Sequence, residues 1–179
     1  MGITEYFDTY PCALGELTLC CDGESLTALF FTGQEYADKY LSPSAVQGSF
    51  PVLEDTKRWL DAYFRGEKPG TLPPMVLTGT PFQRSVWALL SEIPYGETTT
   101  YGALAKEMAK RVGKKKMSAQ AVGGAVGRNP IGIIVPCHRV IGADGTLTGY
   151  AAGLNRKEFL LKLEGIARTT GAMKRRFNS

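Results

Sequence analysis

YGALAKEMAKRVGKKKMSAQAVGGAVGRNP, residues 101–130, holds the clearest architectural signal in the chain. A threonine of the run Thr98-Thr99-Thr100 caps an amphipathic run in which Leu104, Ala105 and Met108 recur at helical spacing. A basic stretch, Arg111-Val112-Gly113-Lys114-Lys115-Lys116, interrupts it. Ser118 then caps a second helix, AQAVGGAVG, made almost wholly of small residues, and Asn129-Pro130 stops it. Helix, basic loop and helix within thirty residues predict a helix-turn-helix variant. Gly123 and Gly124 together cost about 2 kcal/mol of helix stability relative to alanine. Two explanations stand side by side: close backbone approach to something large and flat, such as a nucleic-acid strand, or close packing against the neighbouring helix.

Toward the N-terminus, Thr80-Pro81-Phe82-Gln83 reads as a capping box with proline at the first helical position. Phe82, Val86, Leu89, Leu90 and Ile93 follow as an apolar stripe ending at Pro94. The stretch GEKPGTLPP, residues 66–74, is the linker candidate. Before it the texture is different. The first fifty residues read as strands: LGELTLCCDG sets Leu17, Leu19 and Cys21 against polar neighbours and turns at Asp22-Gly23, and Leu26, Ala28 and Phe30 follow on one face, a hairpin signal. VLEDTKRWLDAYFRG carries Leu53, Lys57, Leu60 and Phe64 at helical spacing and ends at Gly66, an amphipathic helix packed on the sheet. The fold class expected is α+β, with a small N-terminal sheet-plus-helix domain (1–79), a helical helix-turn-helix-like domain (80–165) and a basic tail (166–179).

Charge divides along the same line. Residues 1–79 hold five Lys/Arg against eleven Asp/Glu, and residues 80–179 hold sixteen against six. A basic half joined to an acidic half fits a nucleic-acid-binding domain beside a structural one; a lopsided solubilising surface is the plainer alternative. Neither a spanning apolar run nor a secretory signal pattern is expected. The four cysteines, at 12, 20, 21 and 137, lack metal-ligand spacing, so the chain reads as a reduced, cytoplasmic protein with no structural disulfide, no metal and no cofactor.

C-terminal to the helix pair, Ile131 to Val135 reads as a buried strand, followed by Pro136-Cys137-His138-Arg139 and the turn Gly142-Ala143-Asp144-Gly145. His138 is the only histidine of 179 residues. A free thiol titrates near about 8.5, and an adjacent base is the usual means of activating it. Neighbours in an extended segment face opposite ways, so Cys137 and His138 meet directly only if the chain bends, for which Pro136 is suited; a bridging water is the other route. An imidazole needs a third group to fix its tautomer. Among the six acids of the basic half, Glu164 stands out, because it ends the helix through Phe159, Leu160, Leu161 and Leu163, where negative charge is disfavoured. Asn155-Arg156-Lys157-Glu158 is read as the capping box that opens that helix. The plainer account of a lone Cys-His pair is structural burial of both.

Pro81-Phe82, Tyr95-Gly96, Thr100-Tyr101, Ala121-Val122-Gly123-Gly124, Asn129-Pro130, the segment Pro136 to Ile141, Gly149-Tyr150, Lys157-Glu158 and Glu164-Gly165, in that order, resemble the O6-alkylguanine-DNA alkyltransferases, the methylated-DNA–protein-cysteine methyltransferases. The resemblance covers roughly half the chain. It implies a winged helix-turn-helix-like catalytic domain and a single-turnover transfer of an alkyl group from O6-alkylguanine in double-stranded DNA to Cys137, with O4-alkylthymine as a further candidate substrate. It further implies that His138 deprotonates Cys137 through a water, that Glu164 orients His138, and that Tyr101 helps rotate the damaged nucleotide out of the duplex. Asn129 would be the hinge between recognition helix and active-site strand. Val140 and Ala151 would meet the extruded base through backbone groups beside Tyr150. The helix with Ala121, Gly123 and Gly124 would enter the minor groove. Lys157 is grouped with the substrate- and DNA-binding residues, and Arg128 with the phosphate anchors at 110, 111, 114, 115 and 116. The resemblance implies a monomer. Gln120 departs from the pattern, since the family commonly has arginine there to fill the gap left by the flipped base. A lesion-recognition module without chemistry, or a Cys-His hydrolase unrelated to DNA, is the rival reading; Cys137 argues against the first and the basic half against the second.

Overall fold

The computed structural model describes residues 4–166; the basic tail lies outside the described residues apart from Ile166. The chain forms two compact units, residues 4–78 together with Pro130–Gly132, and Gly79–Asn129 together with residues 133–166.

In the first unit β1 (Tyr6–Cys12), β2 (Gly15–Cys21) and β3 (Leu26–Phe31) form an antiparallel meander, and β4 (Val46–Gln47) adds in parallel to β1, giving the order β3-β2-β1-β4. Pairs such as Leu17↔Phe31 and Leu19↔Leu29 share one face, and Thr18↔Phe30 and Cys20↔Ala28 the other. Both faces are covered. Thr18 and Cys20 are as buried as Leu17 and Leu19, so the expected polar face does not exist. Cys20, Ala28 and Phe30 pack against Phe7, Ala37, Tyr40 and Leu41, and the Thr18 hydroxyl is satisfied by Thr32 at 2.7 Å. The turn at Asp22-Gly23 forms, with the Asp22 carboxylate accepting from the Glu24 and Ser25 amides.

Helix α1 (Pro51–Phe64) lies against β1, β2 and β3. Its buried side chains are Val52, Leu53, Thr56, Leu60 and Tyr63; Lys57 reaches instead to Asp8, at 2.6 Å, and Phe64 is only half-buried. The stretch expected to be a linker is tied down at its end. Leu26 donates to Pro74 O at 2.8 Å and accepts from the Val76 amide at 2.9 Å. Leu29 does the same with Pro130 O and the Gly132 amide, at 2.9 and 2.8 Å. These contacts satisfy the outer edge of β3 with short segments rather than leaving it open.

The expected strand over Ile131 to Val135 is therefore a correction: it contributes one bridge at Ile131 and then turns. Ile133 takes a left-handed conformation, φ 66°, which costs a β-branched residue about 1–2 kcal/mol and is offset by burying its side chain almost completely. Apolar content signalled burial there, not extension.

The second unit contains α2 (Pro81–Leu90), β5 (Thr99–Thr100), α3 (Tyr101–Arg111), α4 (Ala119–Gly127), β6 (Val140–Ile141) and α5 (Leu154–Leu163). The three caps read from the sequence form: Thr80 and Gln83 make the reciprocal capping box, Thr100 accepts from the Ala103 amide, and Ser118 from the Ala121 amide. Helices α2, α3 and α4 pack on one another through Val86, Leu89, Leu90, Leu104, Ala105, Met108, Val122 and Val126. Trp87, buried at the centre, donates its indole N–H to Ala125 O at 2.8 Å. β5 and β6 pair in parallel, Thr99 with Val140. The capping box expected at Asn155 is a second correction. Helix α5 begins at Leu154, two residues earlier than a cap at Asn155 would place it, behind Gly153 at φ 98°, a conformation open to glycine, and no side chain caps it.

Candidate active site

The chain bends at Pro136 and winds Cys137–Arg139 into one turn of 3-10 helix. A turn, unlike a strand, brings consecutive side chains toward neighbouring directions. Cys137, His138 and Arg139 are all buried. Val140 leaves the turn as β6, so its pairing with Thr99 on β5 anchors the C-terminal end of the turn.

Glu164 is the C-cap of α5 and is buried, where a lone carboxylate would be costly. Two neighbours resolve this. The carboxylate accepts a short hydrogen bond from His138 Nε2 and, through its other oxygen, one from Arg139 Nε at 2.7 Å. The Gly96 amide adds a third, at 3.2 Å. Burial alone would raise the Glu164 carboxyl, but His138 and Arg139 hold it down to about 2. Arg139 also donates to Ile93 O at 2.7 Å and stands over the Tyr95 ring. Arg139 is the member that the sequence reasoning missed. A cation inside an apolar segment, beside the lone histidine, was the available signal.

With Glu164 ionised, the Nε2–H tautomer of His138 is enforced and Nδ1 carries the lone pair. Burial keeps the imidazole below its ordinary value despite the Glu164 charge, with Arg139 and Lys157 acting in the same direction as burial. The resting ring is neutral near pH 7 and ready to take a proton. Burial raises the Cys137 thiol, opposed by a hydrogen bond from Asn129 and by the charge of Lys157. The resting sulfur is thus a thiol, with an amide and a cation placed to favour the thiolate. Asn129 also donates to Val135 O at 2.8 Å, tying the end of α4 to the segment that carries Cys137.

Lys157 is fully buried. Its Nζ donates to Thr148 O at 2.9 Å and to Gly149 O at 3.4 Å, and burial depresses it to about 8. Tyr101 Oη donates to the same two carbonyls, at 3.0 and 3.2 Å, and the Lys157 ammonium stands 5.8 Å from its ring centre. Tyr101 is pushed up to about 12 by burial and then by the Cys137 charge; Tyr150 is raised for the same two reasons. Both phenols stay protonated at neutral pH and so keep an O–H to donate.

Cys137, His138, Glu164, Asn129, Lys157, Tyr101 and Tyr150 thus form one connected set. Gly123 joins it, since a Cβ there would lie 3.5 Å from the Tyr101 ring. Val140 is buried in β6, and Ala151 is half-buried in the loop before α5. Gln120, Ala121, Gly124 and Arg128 are exposed along α4 and at its C-cap, outside the buried set. A Cβ at Gly124 would meet nothing within 4 Å. Close packing inside the protein therefore does not explain that glycine. Arg111, expected among the phosphate anchors, is held by two carboxylates. Its guanidinium forks onto Glu92 at 2.6 and 2.8 Å and reaches Glu107 at 2.8 Å, which joins α3 to the end of α2. Among the described residues, no group of three or more His, Cys, Asp or Glu is placed to hold a metal ion, and no helix is long and apolar enough to cross a membrane.

Residues 81–166 match the family described as 6-O-methylguanine DNA methyltransferase, DNA binding domain, and residues 6–72 match the 6-O-methylguanine DNA methyltransferase, ribonuclease-like domain. The chain is 48% identical over 161 residues to the methylated-DNA–protein-cysteine methyltransferase of Methanosarcina acetivorans, covering 89% of this chain and 98% of that one. It is 44% identical over 163 residues to the protein of the same name from Haemophilus influenzae, covering 90% and 87%. The crystal structure of Mycobacterium tuberculosis OGT in complex with DNA matches with a TM-score of 0.75 at 42% identity, covering 93% of this chain and 96% of that chain.

Proposed function

The chain belongs to the 6-O-methylguanine DNA methyltransferase family, and on that premise we propose a course for its chemistry through the residues around Cys137. It is a methylated-DNA–protein-cysteine methyltransferase, a DNA-binding protein that repairs DNA by alkyl transfer.

The acceptor is Cys137 and the substrate is O6-alkylguanine in duplex DNA; O4-alkylthymine has the same alkyl–oxygen bond and is a candidate for the same route. The base is stacked within the duplex, so it is first extruded, at a cost of a few kcal/mol. Helix α4 enters the minor groove, where Gly123 and Gly124 let its backbone come close. Gln120 faces the vacated space, Arg128 meets a phosphate, and Tyr101 turns the nucleotide outward. The base settles against Val140, Tyr150 and Ala151. Asn129 keeps α4 and the Cys137 turn in register.

The thiol proton passes through a water to His138 Nδ1, and Glu164 stabilises the imidazolium so formed. The Cys137 sulfur displaces the alkyl carbon from O6: the C–S bond forms as the C–O bond breaks, and the electron pair stays on the base. The base gains one proton at N1, which balances the one lost by the thiol. No step cleaves the thioether, so each molecule reacts once. Lys157 supports the thiolate electrostatically and holds the Thr148–Gly149 backbone. The N-terminal unit is structural, the chain acts as a monomer inside the cell, and the reaction uses neither metal nor cofactor.

The observation that carries this reading is the buried Cys137 beside a His138 hydrogen-bonded to Glu164, whose carboxylate is ion-paired to Arg139. The test is intact mass after mixing with O6-methylguanine duplex. One methyl mass on Cys137 is expected, lost in Cys137→Ala with DNA binding retained. Repeated turnover, or methyl on Cys20 or Cys21, would refute the reading.

A further inference from the structure

In the transfer at Cys137, Arg139 handles neither the thiol proton nor the alkyl group, yet it is a buried cation. Its guanidinium donates from Nε to Glu164 Oε1 at 2.7 Å and from Nη1 to Ile93 O at 2.7 Å, and it stands over the Tyr95 ring. Tyr95 in turn donates to Leu163 O at 3.3 Å, and the Gly96 amide to Glu164 Oε1 at 3.2 Å. The loop after α2 thus fixes the cation on one oxygen of the carboxylate, while His138 Nε2 holds the other. Two groups compete for one negative charge. A buried carboxylate facing a lone imidazole would draw a proton onto it and leave a standing imidazolium beside the sulfur. A guanidinium is a fixed cation, so it neutralises the carboxylate first, and a second cation on the same carboxylate gains little.

The other titratable groups around the pair leave that competition as it is. Tyr95, Tyr101 and Tyr150 come from the loop after α2, from α3 and from the loop before α5; all three are raised by burial first, so they bear no charge at neutral pH. Lys157 on α5 disfavours the imidazolium but favours the thiolate at Cys137 as well. Arg139 differs from it in position. It shares a carboxylate with Nε2, and the thiol proton arrives at Nδ1 on the opposite edge of the ring, so its repulsion falls on the imidazolium with less return at the sulfur. We infer that Arg139 is a positioning residue for the thiol proton: by sharing Glu164 it keeps the His138 ring neutral and the proton on Cys137 until an alkylated base is bound. Each molecule reacts once, so a standing thiolate that meets a stray electrophile is a molecule lost, and a thiol that ionises only as the alkyl carbon arrives is kept for DNA. The inference rests on the reading of Cys137 as alkyl acceptor.

His138 is the only histidine of the chain, which makes the ring directly readable. The full chain labelled with nitrogen-15 at histidine gives one imidazole spectrum, in which either one or both nitrogens carry hydrogen. The parent should show one N–H, at Nε2, at about pH 7 and still at about pH 6, below the ordinary histidine value. Arg139→Gln keeps a donor for the carboxylate and removes the charge, and its ring should carry hydrogen on both nitrogens at about pH 7. Iodoacetamide, with the adduct on Cys137 read by peptide mass, reports the thiolate. The parent's rate should climb with pH, whereas Arg139→Gln should stand near its plateau already at about pH 6, a gain relative to plateau of about tenfold for each pKa unit. Arg139→Lys keeps the charge and should behave as the parent. Arg139→Gln/Glu164→Gln carries neither charge and should return to one N–H, a reversal that a merely structural role of Arg139 would not give. One N–H in Arg139→Gln, or a reactivity profile superimposable on the parent's, overturns the inference. Where that variant does not fold, the parent and Arg139→Lys decide: two N–H groups in either at about pH 7 overturn the inference, and one in both upholds it. None of these readouts uses DNA, so failure of the parent to take a methyl group from O6-methylguanine duplex would overturn the repair reading alone, and the ring and the thiol would still judge Arg139.

Discussion

Glu164→Gln keeps the shape of the side chain and removes the charge shared by His138 and Arg139, and its cost divides into two measurable parts. The first is stability. Held at about 2 against an ordinary 4.5, the carboxyl favours the folded state by about 3 kcal/mol. Because the folded value is the depressed one, that contribution is complete above pH 4.5 and fades as pH falls toward 2. The variant lacks it at neutral pH and also leaves the Arg139 guanidinium buried with Ile93 O as its other acceptor. Breaking one side of a buried pair costs about 3–5 kcal/mol, which at about 2–4 °C per kcal/mol lowers the melting temperature by roughly 10 °C. The second part is chemical. The imidazolium formed during transfer loses its counter-charge, so transfer from O6-methylguanine duplex should slow by about 10²–10³-fold, and by the same factor from free O6-benzylguanine. The assay is single-turnover transfer across pH 5–9, beside thermal melts and DNA affinity on the same preparations. Adding Arg139→Gln should restore part of the stability and none of the rate. A variant that transfers at the parent's rate with an unchanged pH profile would refute the role given to Glu164, whatever its melting temperature.

Gly124→Leu should raise the melting temperature, since glycine inside a helix costs about 1 kcal/mol and the position opens on space; DNA affinity should fall, and unchanged affinity would remove α4 from the DNA interface. Lys157→Met should abolish a rise in stability that the parent shows at alkaline pH. With Lys157 depressed by burial to about 8, below its ordinary 10.5, its charge opposes folding in full below pH 8, and that penalty of about 3 kcal/mol disappears as pH climbs from 8 to 10.5. Parallel stability curves for parent and variant over that window would contradict the burial of an ammonium there. Gln120→Arg should speed transfer from duplex more than from free O6-benzylguanine at both low and high salt, because a longer planar cation fills the vacated space; a gain confined to low salt would mean that it merely attracts phosphates.

Local chemistry made much of this protein legible before any coordinates. Thr80 and Ser118 each capped the helix expected of them, and Thr100 proved to be the capping threonine of its run, because capping is decided within three or four residues by a hydroxyl and an exposed amide. The choice of Glu164 as the partner of His138 also came from a local anomaly, a carboxylate at a helix end where it is disfavoured. Properties set by what lies across the fold were not legible. Polar neighbours along β2 promised a wet face, yet Cys20 packs beneath Tyr40 and Leu41, which come from a distant segment. Ile131 to Val135 had the content of a strand, but Leu29 pairs with the backbone on either side of Ile131, and the chain turns there through a left-handed Ile133. Arg111 is held by Glu92, nineteen residues away, a pairing that no local spacing announces. The burial of Lys157 is not written in its neighbours along the chain, and only the carbonyls of Thr148 and Gly149 explain an ammonium with no exposure. Residue type and spacing determine caps, periods and the identity of the reactive groups; whether a charge meets water, a carboxylate or a carbonyl is decided by contacts between segments far apart in the chain, which only the tertiary structure brings together.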